Sequence, residues 1–158
     1  MTRRLRIAVL ALAIPSTDSS ALEANVSKVT SASPANAWVE IGDFCGISTW
    51  HPSVEACEIT EVMGAKLRKI TLKDGGQIRE QLIEHNNEAM SQKYWFLDGA
   101  LPVGNYQATL RVVATGEATT YNWSGNFIAN AVPDAEAVMR ITAFYSAGID
   151  ALVERSEK

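Results

Sequence analysis

The longest regular hydrophobic pattern in the chain runs from Asp134 to Glu154 and has the period of an α-helix. Its apolar positions recur at steps of three and four residues, which places them in one stripe along a helix face. They are Val138, Ile141, Tyr145, Ile149 and Leu152. Pro133 precedes the segment, and Asp134 is suited to capping the free N–H groups of the first turn. A lone amphipathic helix must bury its stripe against another element, so the pattern predicts a partner sheet.

From Val54 onward the hydrophobic period changes to two, which is the period of β-strands. The alternation predicts strands near 54–62, 66–73, 77–86, 91–98, 104–115 and 118–128. Turn residues separate several of them, with Asp74-Gly75-Gly76 as the clearest hairpin signal. Because the last two strands alternate cleanly between apolar and polar residues, we expect an antiparallel sheet with one covered face and one solvated face.

Two short helices are predicted between a first strand near 25–31 and this sheet. Ser33-Pro34 is a typical helix start and Gly42 a typical stop. Residues 45–50 allow a second short helical turn, which Pro52 ends. The element order therefore predicts an α+β domain: a seven-stranded curved antiparallel sheet, two short helices after strand 1, and a long C-terminal helix.

The N-terminus has the layout of a secretory signal peptide. Arg3, Arg4 and Arg6 come first, residues 7–14 are all apolar, and Ser19-Ser20-Ala21 supplies the small residues of a cleavage site. The apolar run is far too short to span a bilayer, so no stable membrane insertion is expected. We expect residues 1–21 to be removed and the protein to be secreted or periplasmic. The alternative is a disordered or strand-forming N-terminus.

Charge and motif content exclude several functions. The 158 residues carry a net charge of −4 with no cluster of Lys and Arg, which argues against nucleic acid as a partner. No metal-ligand spacing, phosphate-binding loop or nucleophile motif is present, so no metal or cofactor is expected. Cys45 and Cys57 are the two cysteines. In an exported protein such a pair often forms a disulfide, whereas two buried free thiols are the alternative in a cytosolic one.

Short motifs along the chain resemble those of the START-like SRPBCC superfamily, which has the helix-grip fold. They are Ala37-Trp38, Gly42-Asp43-Phe44-Cys45, Trp50-His51-Pro52, Leu72-Lys73-Asp74-Gly75-Gly76, Leu101-Pro102-Val103, Asn105-Tyr106 and Trp123-Ser124-Gly125. Within the superfamily, residues 25–155 are similar to polyketide cyclase/dehydrase-type proteins and to the exported MxaD-like proteins associated with methanol oxidation. The resemblance implies a deep, largely apolar cavity between the concave sheet and the long helix. Members use it for lipids, sterols, polyketides or other hydrophobic molecules, and some members are enzymes.

This resemblance suggests which side chains line the cavity and which of them could carry chemistry. We expect the lining to include Trp50, His51, Glu80, Tyr94, Phe96, Tyr106, Trp123 and Tyr145, and for most of the aromatic residues the commoner alternative is a packed core. His51 is a candidate acid or base, or else a loop residue bonded to nearby backbone. Glu80 is a candidate general base or polar anchor if its strand face is covered, and a solvated charge if it is not.

Three functions follow from these features. The leading expectation is an exported protein that binds a small hydrophobic molecule without converting it. The second is a cyclase or dehydratase that uses Glu80 or His51 as acid or base. The third is an accessory protein that contacts a partner enzyme of a periplasmic oxidation system.

Overall fold

The structure, a computed structural model, describes residues 21–158. The three helices there are α1 (Pro34–Ile41), α2 (Ile47–Trp50) and α3 (Asp134–Ser156). The strands are β1 (Leu22–Thr30), β2 (Val54–Val62), β3 (Ala65–Leu72), β4 (Gln77–Asn86), β5 (Ser91–Gly99), β6 (Val103–Thr115) and β7 (Ala118–Ala129). The predicted signal peptide lies outside the described residues except for Ala21.

The strands form one antiparallel sheet in the order β1-β7-β6-β5-β4-β3-β2, which confirms the predicted α+β helix-grip fold. Strands β2 to β7 follow one another as hairpins, and the predicted ends of all six agree with the structure to within one residue. β1 begins earlier than the sequence predicted. Leu22 already pairs with Phe127 of β7, because the antiparallel ladder continues to the end of that neighbouring strand.

α3 lies across the inner face of the sheet and packs against β1, β7 and α1. Four residues of the predicted stripe, Ile141, Tyr145, Ile149 and Leu152, are fully buried together with Ala137 and Gly148, whereas Val138 is only partly buried. The predicted capping role of Asp134 is wrong. The N-cap position is Pro133, which provides no side-chain hydrogen bond, and Asp134 is the first helical residue. Its charge, with that of Glu136, lies at the positive end of the helix dipole.

The segment between β1 and β2 is fixed at both ends. The Ser33 hydroxyl accepts a hydrogen bond from the Asn36 N–H at 3.3 Å and so caps α1, while Gly42 ends the helix with a φ of 71°. Cys45 and Cys57 form a disulfide that ties the α1–α2 connection to β2, which confirms the predicted pairing. None of the helices between residues 21 and 158 is long and apolar enough to cross a membrane.

Candidate functional site

A groove of about 410 Å³ opens where the β3–β4 turn faces α3. Leu72 closes the end of β3, Phe144 projects from α3, and Pro52 lies between them on the loop after α2. Ser53, Lys73 and Asp74 complete the lining with polar groups. The groove thus combines apolar walls with a few polar groups at its rim, which is the usual composition of a small-molecule site.

His51 lies directly behind the groove and uses both of its ring nitrogens. Nδ1 accepts a hydrogen bond from the Ser53 N–H at 3.1 Å, so Nε2 carries the proton and donates it to the Phe144 carbonyl at 3.0 Å. The ring also stacks on the Phe144 ring with centroids 4.0 Å apart. Burial lowers the pKa of His51 to about 4, and a hydrogen bond to backbone only partly offsets this. A neutral imidazole therefore holds two groove residues in place.

Four aromatic side chains fill the space between the sheet and α3. The Trp123 indole N–H donates to the Tyr94 hydroxyl at 2.8 Å and its ring stacks on Tyr145 at 4.6 Å. The Tyr106 and Tyr145 hydroxyls are 2.6 Å apart. Gly125 faces this cluster, and its missing Cβ leaves room for both of these tyrosines. Burial raises the pKa of all three tyrosines, so their hydroxyl groups remain protonated.

A buried ion pair extends the polar interior across the neighbouring strands β3 and β4. Glu80 Oε2 accepts from Arg68 Nε at 2.7 Å and lies 2.6 Å from Nη2. Arg68 also donates to the Phe44 carbonyl at 2.5 Å, and its guanidinium lies 4.2 Å from the Phe44 ring centroid and 4.8 Å from that of Tyr94. Burial raises the pKa of Glu80, although the Arg68 charge acts in the opposite direction. Glu80 therefore faces the interior, which the mixed pattern of its strand left open.

The sequence reasoning missed Arg68, although the alternation contained the signal. Arg68 has the same parity as Ile70 and Leu72, and all three are buried on the inner face of β3. A charged residue in a strand is normally assigned to the solvated face because burying an unpaired charge is costly. The cross-strand register places Arg68 opposite Glu80, so the buried charge is paired and its burial costs less.

The residues predicted to line a cavity mostly form a packed core behind the groove. None of the eight lines the groove itself, and Phe96 lines a separate cleft at the end of β5. Trp50 donates to the Ile41 carbonyl at 3.0 Å and packs edge-on against Trp123. Aromatic residues at inward positions serve equally well as core or as wall, so their sequence pattern could not distinguish the two.

The described residues contain no cluster of three or more His, Cys, Asp or Glu side chains that could hold a metal ion. Within this part of the chain, the polar groups on the inner face include one neutral imidazole, one ion pair and four tyrosine hydroxyls, of which that of Tyr121 donates to the Ala37 carbonyl at 3.0 Å.

The fold and this interior agree with the comparisons to known proteins. The profile of the family "polyketide cyclase / dehydrase and lipid transport" matches residues 21–157, and the chain belongs to this family. Among solved structures, XoxI from Bacillus cereus is 30% identical, with a TM-score of 0.79 over 84% of this chain and 94% of XoxI. An uncharacterized protein from Bacillus thuringiensis is 27% identical, with a TM-score of 0.77 over 87% of this chain and 100% of that protein.

The ZhuI aromatase/cyclase from Streptomyces sp. R1128 has the same fold. It is 17% identical, with a TM-score of 0.71 over 87% of this chain and 94% of ZhuI. At that identity the likeness concerns the fold alone. A comparison with curated proteins gave no match. Membership of the family indicates a ligand-binding or cyclase-type protein.

Proposed function

We propose that this protein binds a small hydrophobic molecule in the groove between the β3–β4 turn and α3. The observation that carries the proposal is the groove itself, which measures about 410 Å³ and lies within the range of about 300–1,000 Å³ that small-molecule sites occupy. Its apolar walls come from Pro52, Leu72 and Phe144. Membership of a family that includes lipid transport supports the same class of ligand.

The groove is preorganised for binding. His51 holds the Phe144 backbone and ring, and it also holds the Ser53 N–H, so both sides of the groove are positioned before a ligand arrives. Preorganisation lowers the entropic cost of association.

Export of the protein is part of the proposal. The Cys45–Cys57 disulfide supports it, since such bonds persist in oxidising compartments and are rare in the cytosol. The signal-peptide layout of residues 1–21 points the same way.

The states of His51 and Glu80, the two candidate acid–base residues, favour a binding function over a catalytic one. Both nitrogens of His51 are engaged with backbone groups, and a pKa of about 4 leaves it neutral with its lone pair occupied. Glu80 has one carboxylate oxygen bound by Arg68. Contact with a partner enzyme of a periplasmic oxidation system stays a prediction.

The test is a fluorescence titration of the full chain with the neutral apolar probe N-phenyl-1-naphthylamine. We expect saturable binding to the wild type and about tenfold weaker binding to Phe144→Ala, because the substitution removes an aromatic wall. Ser53→Glu should also weaken binding, since it places a charge at the rim of an apolar groove.

Met139→Ala is the matched control, because Met139 is exposed on α3 and does not line the groove. It should bind the probe as the wild type does. Equal affinity of the wild type and Phe144→Ala would place the probe elsewhere, and a wild type that never saturates would remove the proposal.

A further inference from the structure

A second opening lies at the end of the sheet where β5 and β6 part. Their ladder ends with Trp95 opposite Gln107, although β5 continues to Gly99 and β6 begins at Val103. The strands diverge over these last residues and leave a cleft of about 350 Å³. Polar atoms supply most of the surface that lines it. The cleft therefore differs in character from the apolar groove beside α3.

Trp95 forms an aromatic wall of this cleft. It alternates with Tyr94 and Phe96, which are buried on the inner face, and so projects from the outer face with 41% of its surface exposed. Its ring pairs with no other aromatic ring among residues 21–158, whereas the rings of Trp38, Trp50 and Trp123 each contact another ring. What sets this indole apart is its place in a concave site, where its free face is available to a ligand.

Two side-chain amides stand at the edges of the same cleft. Asn105 belongs to a bulge in β6, where the register with β7 shifts between Gly104 and Gln107, and it has a φ of +48°. A non-glycine residue in this region is uncommon, and bulges often redirect a side chain next to a functional site. Neither the Asn105 amide nor the Asn130 amide forms a hydrogen bond with a side chain or backbone group of the described residues.

The cleft offers no uncompensated charge to an ionic ligand. Its one carboxylate, Asp98, is held by Arg79 through both oxygens, with Nε to Oδ1 at 2.7 Å. A cation would find no free carboxylate there, and an anion would approach Asp98 itself. Purely apolar molecules match the groove beside α3 better than this polar lining. The class of ligand that remains is a neutral molecule with one apolar face and many hydroxyl groups.

We infer that the cleft between Trp95, Asn105 and Asn130 is a carbohydrate-binding site that takes a neutral pyranose ring. The C–H face of the sugar lies on the exposed indole, and its hydroxyl groups exchange hydrogen bonds with the two amides, each of which both donates and accepts. The cleft shares no lining residue with the groove beside α3. A sugar and a hydrophobic ligand can therefore be bound at the same time.

The test is an NMR titration of the ¹⁵N-labelled full chain with three sugars used separately: methyl β-glucopyranoside, methyl α-mannopyranoside and N-acetylglucosamine. At least one should shift the Trp95 indole N–H signal saturably, with a dissociation constant in the millimolar range typical of a single sugar ring on an open site. Cyclohexanol, which has a similar ring but a single hydroxyl, should bind at least about tenfold more weakly, a difference of about 1.4 kcal/mol.

Variants separate the aromatic and amide contributions. Trp95→Ala should weaken sugar binding at least about tenfold, whereas Asn105→Gly removes the amide, keeps the positive φ and should weaken it several-fold. Ile83→Ala is the matched control, since Ile83 is exposed on β4 and does not line the cleft. It should leave the affinity unchanged.

Three results would overturn the inference: no sugar shifts Trp95 saturably, cyclohexanol binds as tightly as the best sugar, or Trp95→Ala binds sugar like the wild type. None of these results depends on the hydrophobic probe, because neither Phe144 nor any other groove residue lines the cleft.

Discussion

The core tolerates a few buried polar side chains because each of them has a hydrogen-bond or charge partner. Arg68 and Glu80 are both almost fully buried, and each neutralises the other while Phe44 supplies a carbonyl to the guanidinium. His51 is buried as a neutral ring with two backbone partners. Removing one member of such a set leaves the other without compensation, which costs more than the contact itself contributes.

Glu80→Ala should lower the free energy of unfolding by about 3–5 kcal/mol, because it leaves Arg68 buried and unpaired. The double variant Arg68→Met/Glu80→Leu should recover most of that loss, since two apolar side chains replace the pair. Urea unfolding measures both. The control is Glu58→Ala, which breaks an exposed pair with Lys69 and should cost less than about 1 kcal/mol. A Glu80→Ala loss as small as that of the control would show that the Arg68 charge reaches solvent.

His51 should make the protein less stable as the pH falls from about 6.5 to about 4. In the unfolded chain its pKa is near 6.5, whereas burial lowers the folded pKa to about 4, so only the unfolded state takes up a proton in this window. At the acidic end the loss amounts to about 3 kcal/mol. Urea unfolding at several pH values should show a flatter profile for His51→Gln than for the wild type. His85→Gln, which alters the exposed histidine, should keep the wild-type slope. Parallel profiles for wild type and His51→Gln would contradict the assignment.

At the scale of elements, the contact between α3 and the aromatic core depends on a glycine. A Cβ added at Gly148 would come within 2.7 Å of the Trp123 ring and 2.8 Å of the His51 ring. The small residues at this point of α3 allow the helix to approach the loop after α2 closely. Packing and intrinsic helix propensity therefore act in opposite directions at this position.

Gly148→Ala should destabilise the protein by about 1–3 kcal/mol, because overpacking against two rigid rings outweighs the gain of about 1 kcal/mol expected from helix propensity. Thermal and urea unfolding provide the measurement. Ala143→Gly on the exposed side of the same helix isolates propensity and should cost about 1 kcal/mol. An increase in stability for Gly148→Ala would mean that the helix can move away from Trp123 without loss.

At the scale of the whole molecule, removal of the predicted signal peptide would not disturb the fold. β1 begins at Leu22, directly after the predicted cleavage site, so processing after Ala21 leaves every described strand and helix intact. The disulfide then joins the α1–α2 connection to the edge strand β2. Closing a loop of this length contributes about 2–4 kcal/mol in the chain-entropy model.

Expression of the full chain in a host that exports it should yield a protein that starts at Leu22 and contains the Cys45–Cys57 disulfide. Intact-mass spectrometry before and after reduction measures both properties. Reduction should also lower the free energy of unfolding by about 2–4 kcal/mol, and Cys45→Ser/Cys57→Ser should show the same loss without reductant. Recovery of the full chain in the cytoplasm with free thiols would exclude the export proposal.

Much of the fold could be read from the sequence because its signals are local. The change of hydrophobic period at Val54 located six strands, and the stripe from Val138 to Leu152 located α3. Ser33-Pro34 and Gly42 fixed α1. Periodicity reports which face of an element is buried, and turn residues report where it ends. These properties depend on neighbours a few positions away in the chain.

The tertiary structure alone decided where the sites lie. Only the β3–β4 register brings Arg68 to Glu80 and so turns both charges inward. Whether Tyr94 and Trp123 line a cavity or fill a core depends on how closely α3 packs over them. The cleft beside Trp95 exists because two strands part after their last pair. Each outcome depends on distances between segments far apart in the chain, which hydrophobic alternation does not encode.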